Sequence, residues 1–295
     1  MSIAITDVSA IIVTFNPVIE QLSAVINSLK SQVGLLIIID NGSKNSEKLI
    51  AIGLQSNIRL ILLSENRGIA YAQNKGIHSA LAAGFSTILF SDQDSIYPQN
   101  YVQDMMTALY SRKGIAAVAP TYIDLHKKER GIITPDDKVN LDIKTKNLQT
   151  VKQAMSSGTL VPVCVLQQVG YMNEDLFIDW VDFEWCWRAR SRGYLIIVNT
   201  DVEISHKIGS GAIRFFGKKI NCHSPTRHYY ITRNALYLSL YSPYLKLGHR
   251  FLMLAKVVKY VVFYPIIFKP RQRNLKAVWF AVAHGVTKRL GKRNI

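Results

Sequence analysis

"TILFSDQDSIYP", Thr87 to Pro98, decides how this chain is read. Apolar and β-branched residues, Thr87 to Phe90, lead into two aspartates spaced i, i+2, Asp92 and Asp94. Carboxylates that close repel each other unless a cation sits between them or they face opposite sides. The simpler reading makes Asp92 a turn former and Asp94 the N-cap of a helix ahead of "YPQNYVQDMM". That accounts for one aspartate, but not for both following a buried strand. Hard oxygen ligands favour Mg²⁺ or Mn²⁺, and such ions complete their shells with substrate phosphates. The pair therefore reads as a grip on a divalent metal that in turn holds a diphosphate.

Outward from this stretch the same arrangement repeats. "SAIIVTF" (9–15), "LLIIID" (35–40) and "RLILLS" (59–64) are further apolar strand runs. Between them, "VIEQLSAVINSLKSQ" and "IAYAQNKGIHSALAAG" place apolar residues at helical spacing. Near-continuous apolar strands alternating with helices predict an α/β fold, a mostly parallel Rossmann-like sheet covered on both faces. Ligands of such sheets sit beyond the carboxyl ends of the strands. The polar clusters fall there: "TFNP", "DNGS", "ENRG" and "DQDS" each follow a strand. Later, "TLVPVCVL" and "YLIIVN" read as strands, "WVDFEWCWRARSRG" as a helix ending at Gly193, and the stretch from about Thr121 to Thr150 as an irregular insertion with room for a strand.

Composition narrows the class. With 295 residues, 48% of them apolar, the chain buries a sizeable core. Three cysteines lie far apart without a CxxC pair, which suits a reducing cytoplasm rather than a disulfide framework. The first residues lack the pattern of a signal peptide, and no run of about 20 uninterrupted apolar residues suggests a membrane span. The net charge of +16 is unevenly placed. All 20 acidic residues lie at or before Glu203 beside 18 Lys and Arg, whereas residues 204–295 hold the other 18 and no acid. A basic C-terminal part points to a polyanion: nucleic acid, a phosphorylated substrate or a membrane surface.

Individual motifs admit two readings each. Asp40, Asn41 and Gly42 are good turn formers, or with "TFNP" they meet a base and a ribose. Asn66, Gly68 and Asn74 stand at a loop-to-helix junction, where free N–H groups favour anions. No GxxxxGK[ST] or GxGxxG is present, which argues against a P-loop ATPase and a standard dinucleotide fold. On one continuous helix, Asp179 and Asp182 share a face, and Glu184 projects about 160° away from Asp182. These acids complement a helix dipole, or, packed among Trp180, Phe183, Trp185 and Trp187, they supply a desolvated general base, with Arg188 as a structural partner for one of them. His206 is structural or a ligand. Arg227, Arg233 and Asn234, among tyrosines, suit nucleic acid or a phosphorylated lipid.

In residues 241–295, Leu247, Phe251, Leu254, Val258 and Val261 recur at helical spacing, with Lys246, Arg250, Lys256 and Lys259 mostly opposite, until Pro265 is expected to break the helix. A second stretch, Leu275 to Leu290, repeats the pattern. Basic amphipathic helices of this kind lie in a membrane interface or pack as a hairpin on the body of the protein; the basic loop between them favours the membrane.

Taken in order and spacing, "VTFNP", "DNGS", "ENRGIAYAQNKGI", "FSDQDS", "LFIDWVDFEWCWR" and the "RN" after paired tyrosines resemble glycosyltransferase family 2, above all its bacterial rhamnosyltransferase branch, from Ser9 to Asn234. The resemblance implies a GT-A fold over residues 1–240, followed by the basic helical tail at 241–295. It also implies a nucleotide-sugar donor, a divalent Mn²⁺ or Mg²⁺, and inversion at the anomeric carbon. Thr14, Phe15, Asn16 and Asp40 would meet the base, and Asn66, Arg67, Gly68 and Asn74 would line the donor pocket. Asp92 and Asp94 match the DxD motif, Asp94 as the direct metal ligand, and His206 matches a histidine that in some relatives reaches the metal or diphosphate. Asp182 matches the catalytic aspartate, with Val181 in place of the preceding acid and Asp179 or Glu184 as alternatives. Arg233 and Asn234 are read as contacts to acceptor or phosphate. The implied reaction is rhamnosyl transfer from dTDP-rhamnose to a lipid-linked or polysaccharide acceptor in O-antigen or capsule synthesis, by a cytoplasmic protein peripheral to the inner face of the membrane. A UDP-hexose or UDP-N-acetylhexosamine donor is the alternative, and a basic nucleic-acid-binding protein or an inactive sugar-binding relative are the alternatives of other classes. The lack of any recognised nucleic-acid module weighs against nucleic acid.

Overall fold

The computed structural model describes residues 5–124, 129–131, 135–136, 147–206, 211–215 and 218–293, the side chains of Ile5, Arg130, His206, Ala212, Phe215 and Lys218 aside. Strands β1 (Val8–Thr14), β2 (Leu35–Asp40), β3 (Ile58–Leu62) and β4 (Thr87–Asp92) form where the apolar runs predict them. Helices α1 (Ile19–Leu29), α2 (Glu47–Gly53) and α3 (Ile69–Ala82) connect them, and α4 (Tyr101–Leu109) follows β4. These strands pair in parallel in the order β3-β2-β1-β4. The order reverses direction between β1 and β4, and the carboxyl ends of strands on either side of such a switch open a crevice. Val13 is in register with Asp92, so the "TFNP" turn and the paired aspartates leave the sheet side by side.

Strand alternation sorts the core into two layers. Ile11, Ile37, Ile39, Ile88 and Phe90 face one side with α3, and Ala10, Ile12, Leu36, Ile38 and Leu89 face the other with α1, α2 and α4. Each fully buried aliphatic or aromatic side chain contributes roughly 1.5–3 kcal/mol, so these layers hold the sheet.

The second half of the sheet departs from expectation. Strand β5 (Ile115–Asp124) is a central strand. The proline that hides it in the sequence, Pro120, sits at a register shift in its parallel pairing with β9 (Leu195–His206), where a missing N–H is tolerated. The stretch read as irregular thus begins in β5. Its short strands β6 (Glu129–Arg130) and β7 (Leu148–Thr150) pair antiparallel with β5 and β9, and much of the remainder lies outside the described residues. "TLVPVCVL" is not one strand: β8 (Leu160–Pro162) runs antiparallel between β4 and β5, and α5 (Val163–Val169) starts directly after Pro162. Burial of Val163, Val165, Leu166 and Val169 on one helical face outweighs their β-propensity. Strands β10 (Ala212–Phe215) and β11 (Lys218–Asn221) form a separate hairpin.

Helix α6 (Val181–Ser191) packs on the α3 side of the sheet, and α7 (Pro225–Tyr241) begins with Ser224 as its cap and Pro225 in the first turn. Helices α8 (Leu247–Ile267) and α9 (Arg271–Val286) pack on α7 and on each other. Pro265 does not break α8 at its own position, but the helix continues only two residues past it, to Ile267. Tyr229 and Tyr230 of α7 are buried with Ala277 and Ala281 of α9, and Met253 and Val257 of α8 join the main core. Deletion of residues 245–295 therefore strips apolar cover from α7. The shortened chain is expected to melt well below the full chain and to bind a hydrophobic dye; an unchanged melting temperature would contradict this packing.

Candidate active site

The crevice at the switch between β1 and β4 is a cavity of about 690 Å³, walled by β1, β4, the start of α6, α7 and α8. Its floor is built by the turn after β2. Asp40 is fully buried and accepts hydrogen bonds from Thr14 Oγ1 (3.0 Å), Ser43 N (3.0 Å) and Ser43 Oγ, which stitches the ends of β1 and β2 together. Asn41 Oδ1 accepts from Arg67 N (2.9 Å), carrying the order to the next loop. Gly42 has φ +76°, and a Cβ there would lie 2.4 Å from the Glu65 carbonyl carbon, so the turn requires glycine. Thr14, Phe15, Asn66, Gly68, Asp92 and Asp94 line the cavity, and Gln93 between the aspartates accepts from Phe15 N (2.8 Å).

Four residues expected to touch a donor are placed instead to shape the site. Asn16 is left-handed (φ +47°), donates its N–H to Ser43 Oγ (2.7 Å) and accepts from Lys44 N (2.9 Å). Asp40 lies beneath the floor, and the Arg67 guanidinium stacks 3.8 Å above the Tyr71 ring. Asn74 is buried, exchanging hydrogen bonds with the Met172 backbone and donating to Glu174 Oε1 (2.7 Å). None of the four lines the cavity.

The opposite wall carries Asp179, Trp180 and Asp182. The i, i+3 face expected of Asp179 and Asp182 does not exist, because Asp179 precedes the helix: Phe177, Asp179 and Trp180 have φ between +64° and +68°, and α6 begins at Val181. This left-handed segment costs of order 1–3 kcal/mol per residue and persists only if held. Asn234 Nδ2 donates to the carbonyls of Leu176 (2.9 Å), Ile178 (2.8 Å) and Asp179 (3.1 Å). Arg233 donates to Asn234 Oδ1 (2.8 Å) and to the carbonyls of Leu176 (3.0 Å) and Gly291 (2.7 Å). Both side chains have 0% exposure, which overturns their reading as acceptor or phosphate contacts: they are backbone clamps. Glu184 is likewise excluded as a base, since it faces away from the crevice and is paired with Arg188 at 2.9 Å, whose guanidinium also binds the carbonyls of Val169 and Tyr171. His206 ends β9 opposite Asp124, and its side chain lies outside the described residues.

Asp182, in the first turn of α6, opens onto the cavity but is otherwise enclosed. Its Oδ1 accepts from Phe183 N (2.9 Å) and Oδ2 from Ser156 N (3.2 Å). Burial raises its pKa to about 6 against those two hydrogen bonds, and the charges of Asp92 and Asp179 push the same way. Asp179 is also raised by burial, but Arg227 opposes this from 3.1 Å and occupies its carboxylate. Asp182 is thus the carboxylate with a pKa matched to proton abstraction near neutrality. Asp92 and Asp94 offer hard oxygens on the same cavity, and the repulsion of Asp92 on Asp182 marks a concentration of negative charge that suits a divalent cation. Among the described residues no group of three or more His, Cys, Asp or Glu is placed to hold a metal, so these two would share it with a ligand's oxygens.

Other wall residues were not expected from the sequence. Ser156 lies in "MSSGTL", a Ser-Ser-Gly turn that signals close backbone approach, whereas Lys256 and Tyr260 reach the cavity from α8, far along the chain.

This fold and crevice define a glycosyltransferase of the GT-A type. The TarS fragment 1–349 from S. aureus, solved with UDP-GlcNAc, superposes over 96% of this chain and 82% of its own with a TM-score of 0.59 at 16% identity. GalNAc-T7, solved with UDP, GalNAc and Mn²⁺, superposes over 95% of this chain, which spans 57% of that one, with a TM-score of 0.58 at 13% identity. Residues 9–218 match the model of Glycosyl transferase family 2, and the chain belongs to that family. Over 79% of its length it is 35% identical to the dTDP-rhamnosyl transferase RfbF of Shigella flexneri, covering 80% of that protein, and it is a rhamnosyltransferase-like member.

Two outcomes follow. Asp182→Asn is expected to lower kcat by about 10²–10⁴, the loss that removal of a general base gives, and near-wild-type turnover would exclude Asp182 from that role. The folded pKa of Asp182 lies above its unfolded value, so the stability this group contributes at low pH is lost as pH rises through about 6. The same variant is therefore expected to melt higher than wild type at pH 8, and a lower melting temperature would count against a desolvated carboxylate. Asn234→Leu removes the side-chain donor of the Ile178 and Asp179 carbonyls, while Leu176 O keeps Arg233, and costs roughly 2–4 kcal/mol in urea unfolding; a loss of activity with stability intact would restore Asn234 as a ligand contact.

Proposed function

We propose that the protein transfers rhamnose from dTDP-rhamnose, with inversion, to a hydroxyl of a lipid-linked or polysaccharide acceptor in cell-surface glycan synthesis, at the inner face of the membrane. The observation that carries the reaction is the desolvated Asp182 across one cavity from Asp92 and Asp94. The 35% identity to a dTDP-rhamnosyl transferase supports the donor.

Asp182 removes the proton of the acceptor hydroxyl as its oxygen forms a bond to the anomeric carbon, and the bond from that carbon to the donor's phosphate oxygen breaks in line. Ser156 N and Phe183 N hold the Asp182 carboxylate in place. Arg227 keeps Asp179 from competing for the proton, and its charge faces the same crevice. Asp92 and Asp94, with His206 as a third ligand, would hold Mn²⁺ or Mg²⁺, which neutralises the departing diphosphate when bound. The ends of β1 and β2, fixed by Asp40, present Thr14, Phe15 and Asn41 to the nucleotide.

Nucleotide sugars screened for thermal stabilisation with Mn²⁺ test the donor: dTDP-rhamnose is expected to raise the melting temperature more than UDP-glucose or UDP-N-acetylglucosamine, and the reverse order would replace it with a UDP-sugar. In calorimetry, Asp94→Ala is expected to abolish the Mn²⁺-dependent part of donor binding, and unchanged binding would remove the metal role.

A further inference from the structure

Helix α8 is two-sided. Phe251, Leu252, Val258, Val262, Phe263 and Ile266 are all exposed, Phe251 at 69% and Val258 at 61%. At about 100° per residue they fall, with Ala255, within an arc of roughly 140° on the outer side of the helix. This differs from the stripe expected from sequence, since Leu254 and Val261 pack against the core. Lys256 sits at the edge of the exposed arc and Tyr260 just beyond it, and both line the active-site cavity, Lys256 Nζ 5.8 Å from the Trp180 ring centroid. Helix α9 adds Leu275 and, at 73% exposure, Trp279.

Exposed apolar surface on this scale marks a docking face. Lys259 projects from within this arc, the exposed cations Lys256, Lys269, Arg271, Arg273 and Lys276 lie beside it along α8 and the start of α9, and the sequence has no acid after Glu203 to offset them. A second copy of the chain on this face would bring like charges together, whereas anionic headgroups would neutralise them. Among the described residues no helix is long and apolar enough to cross a membrane. We infer that the outer face of α8, with Trp279 of α9, seats in the interface of an anionic bilayer and turns the mouth of the cavity toward the lipid, with Lys256 at the headgroup level. This rests on the membrane-side reading given above and specifies its surface. The arc would be buried to the depth of its side chains, as interfacial helices are, with lysine stems reaching back to the headgroups.

Flotation of the full chain tests it. Wild type is expected to float with vesicles of phosphatidylcholine and phosphatidylglycerol, but not with phosphatidylcholine alone, and to be released by high salt. The Val258→Asp, Val262→Asp double variant, changed only at exposed positions, is expected to lose at least about tenfold of the vesicle-bound fraction while binding dTDP-rhamnose in calorimetry as wild type does. Brominated lipid is expected to quench fluorescence in wild type and not in Trp279→Phe. Equal flotation of the double variant, or flotation independent of phosphatidylglycerol, would overturn the proposal. So would a wild-type dimer in sedimentation that the variant dissolves without any vesicle binding, because the face would then belong to a second copy. Donor binding is read separately, so failure of the docking face and failure of the transferase reading are distinguishable.

Discussion

Everything in the crevice depends on the segment from Phe177 to Trp180 being held in a backbone shape that residues with side chains avoid. Three of its four residues are left-handed. The segment is held from several directions: Asn234 takes three of its carbonyls or their neighbours, Trp180 Nε1 donates to Ile231 O (3.0 Å), and Ile69 N donates to Phe177 O (2.7 Å) beside Gly68. Gly68 permits that approach, since a Cβ there would lie 2.5 Å from the same oxygen. Strain concentrated at one loop and offset by fully satisfied buried polar groups is the expected arrangement where geometry serves chemistry.

That constraint sets the electrostatics. The turn places Asp179 where Arg227 can pair with it, and it starts α6 so that Asp182 meets the backbone N–H groups of Ser156 and Phe183 rather than water. Two buried carboxylates three residues apart then have different roles, one tied to a cation and one left as a weak acid near pH 6. C-terminal helices take part in the same enclosure: Arg227 comes from α7, Lys256 and Tyr260 from α8, and the strap at Gly291 binds Arg233 and the carbonyl of Asp175. The basic part of the chain is thus continuous with the acidic crevice it covers.

The first half of the fold was legible because each strand is a short apolar run ending in a polar cluster, whereas the strand order that sets the switch between β1 and β4 was not written in those runs. Asp92 and Asp94 were legible as a pair that turn and capping chemistry explains only in part, and Asp182 as one of three acids set among aromatics. What local sequence could not show was burial. Arg233 and Asn234 beside paired tyrosines look like ligand groups until α9 covers them, and Asn74 looks like a donor contact until Met172 and Glu174 close over it. Helical spacing misled at Asp179, where the left-handed turn intervenes, and at Leu254 and Val261, where the apolar side of α8 is divided between core and solvent. Strand β5 was obscured by Pro120, and α5 by its valines, both cases of tertiary packing overriding local preference.

The most direct test of the central claim is an NMR titration of the carboxyl carbons, with the Asp182 resonance assigned by its loss in Asp182→Asn. The account predicts a midpoint near 6 that moves down in Asp92→Asn, as one neighbouring charge is removed. A midpoint near that of an exposed aspartate, unmoved by the change at Asp92, would contradict it.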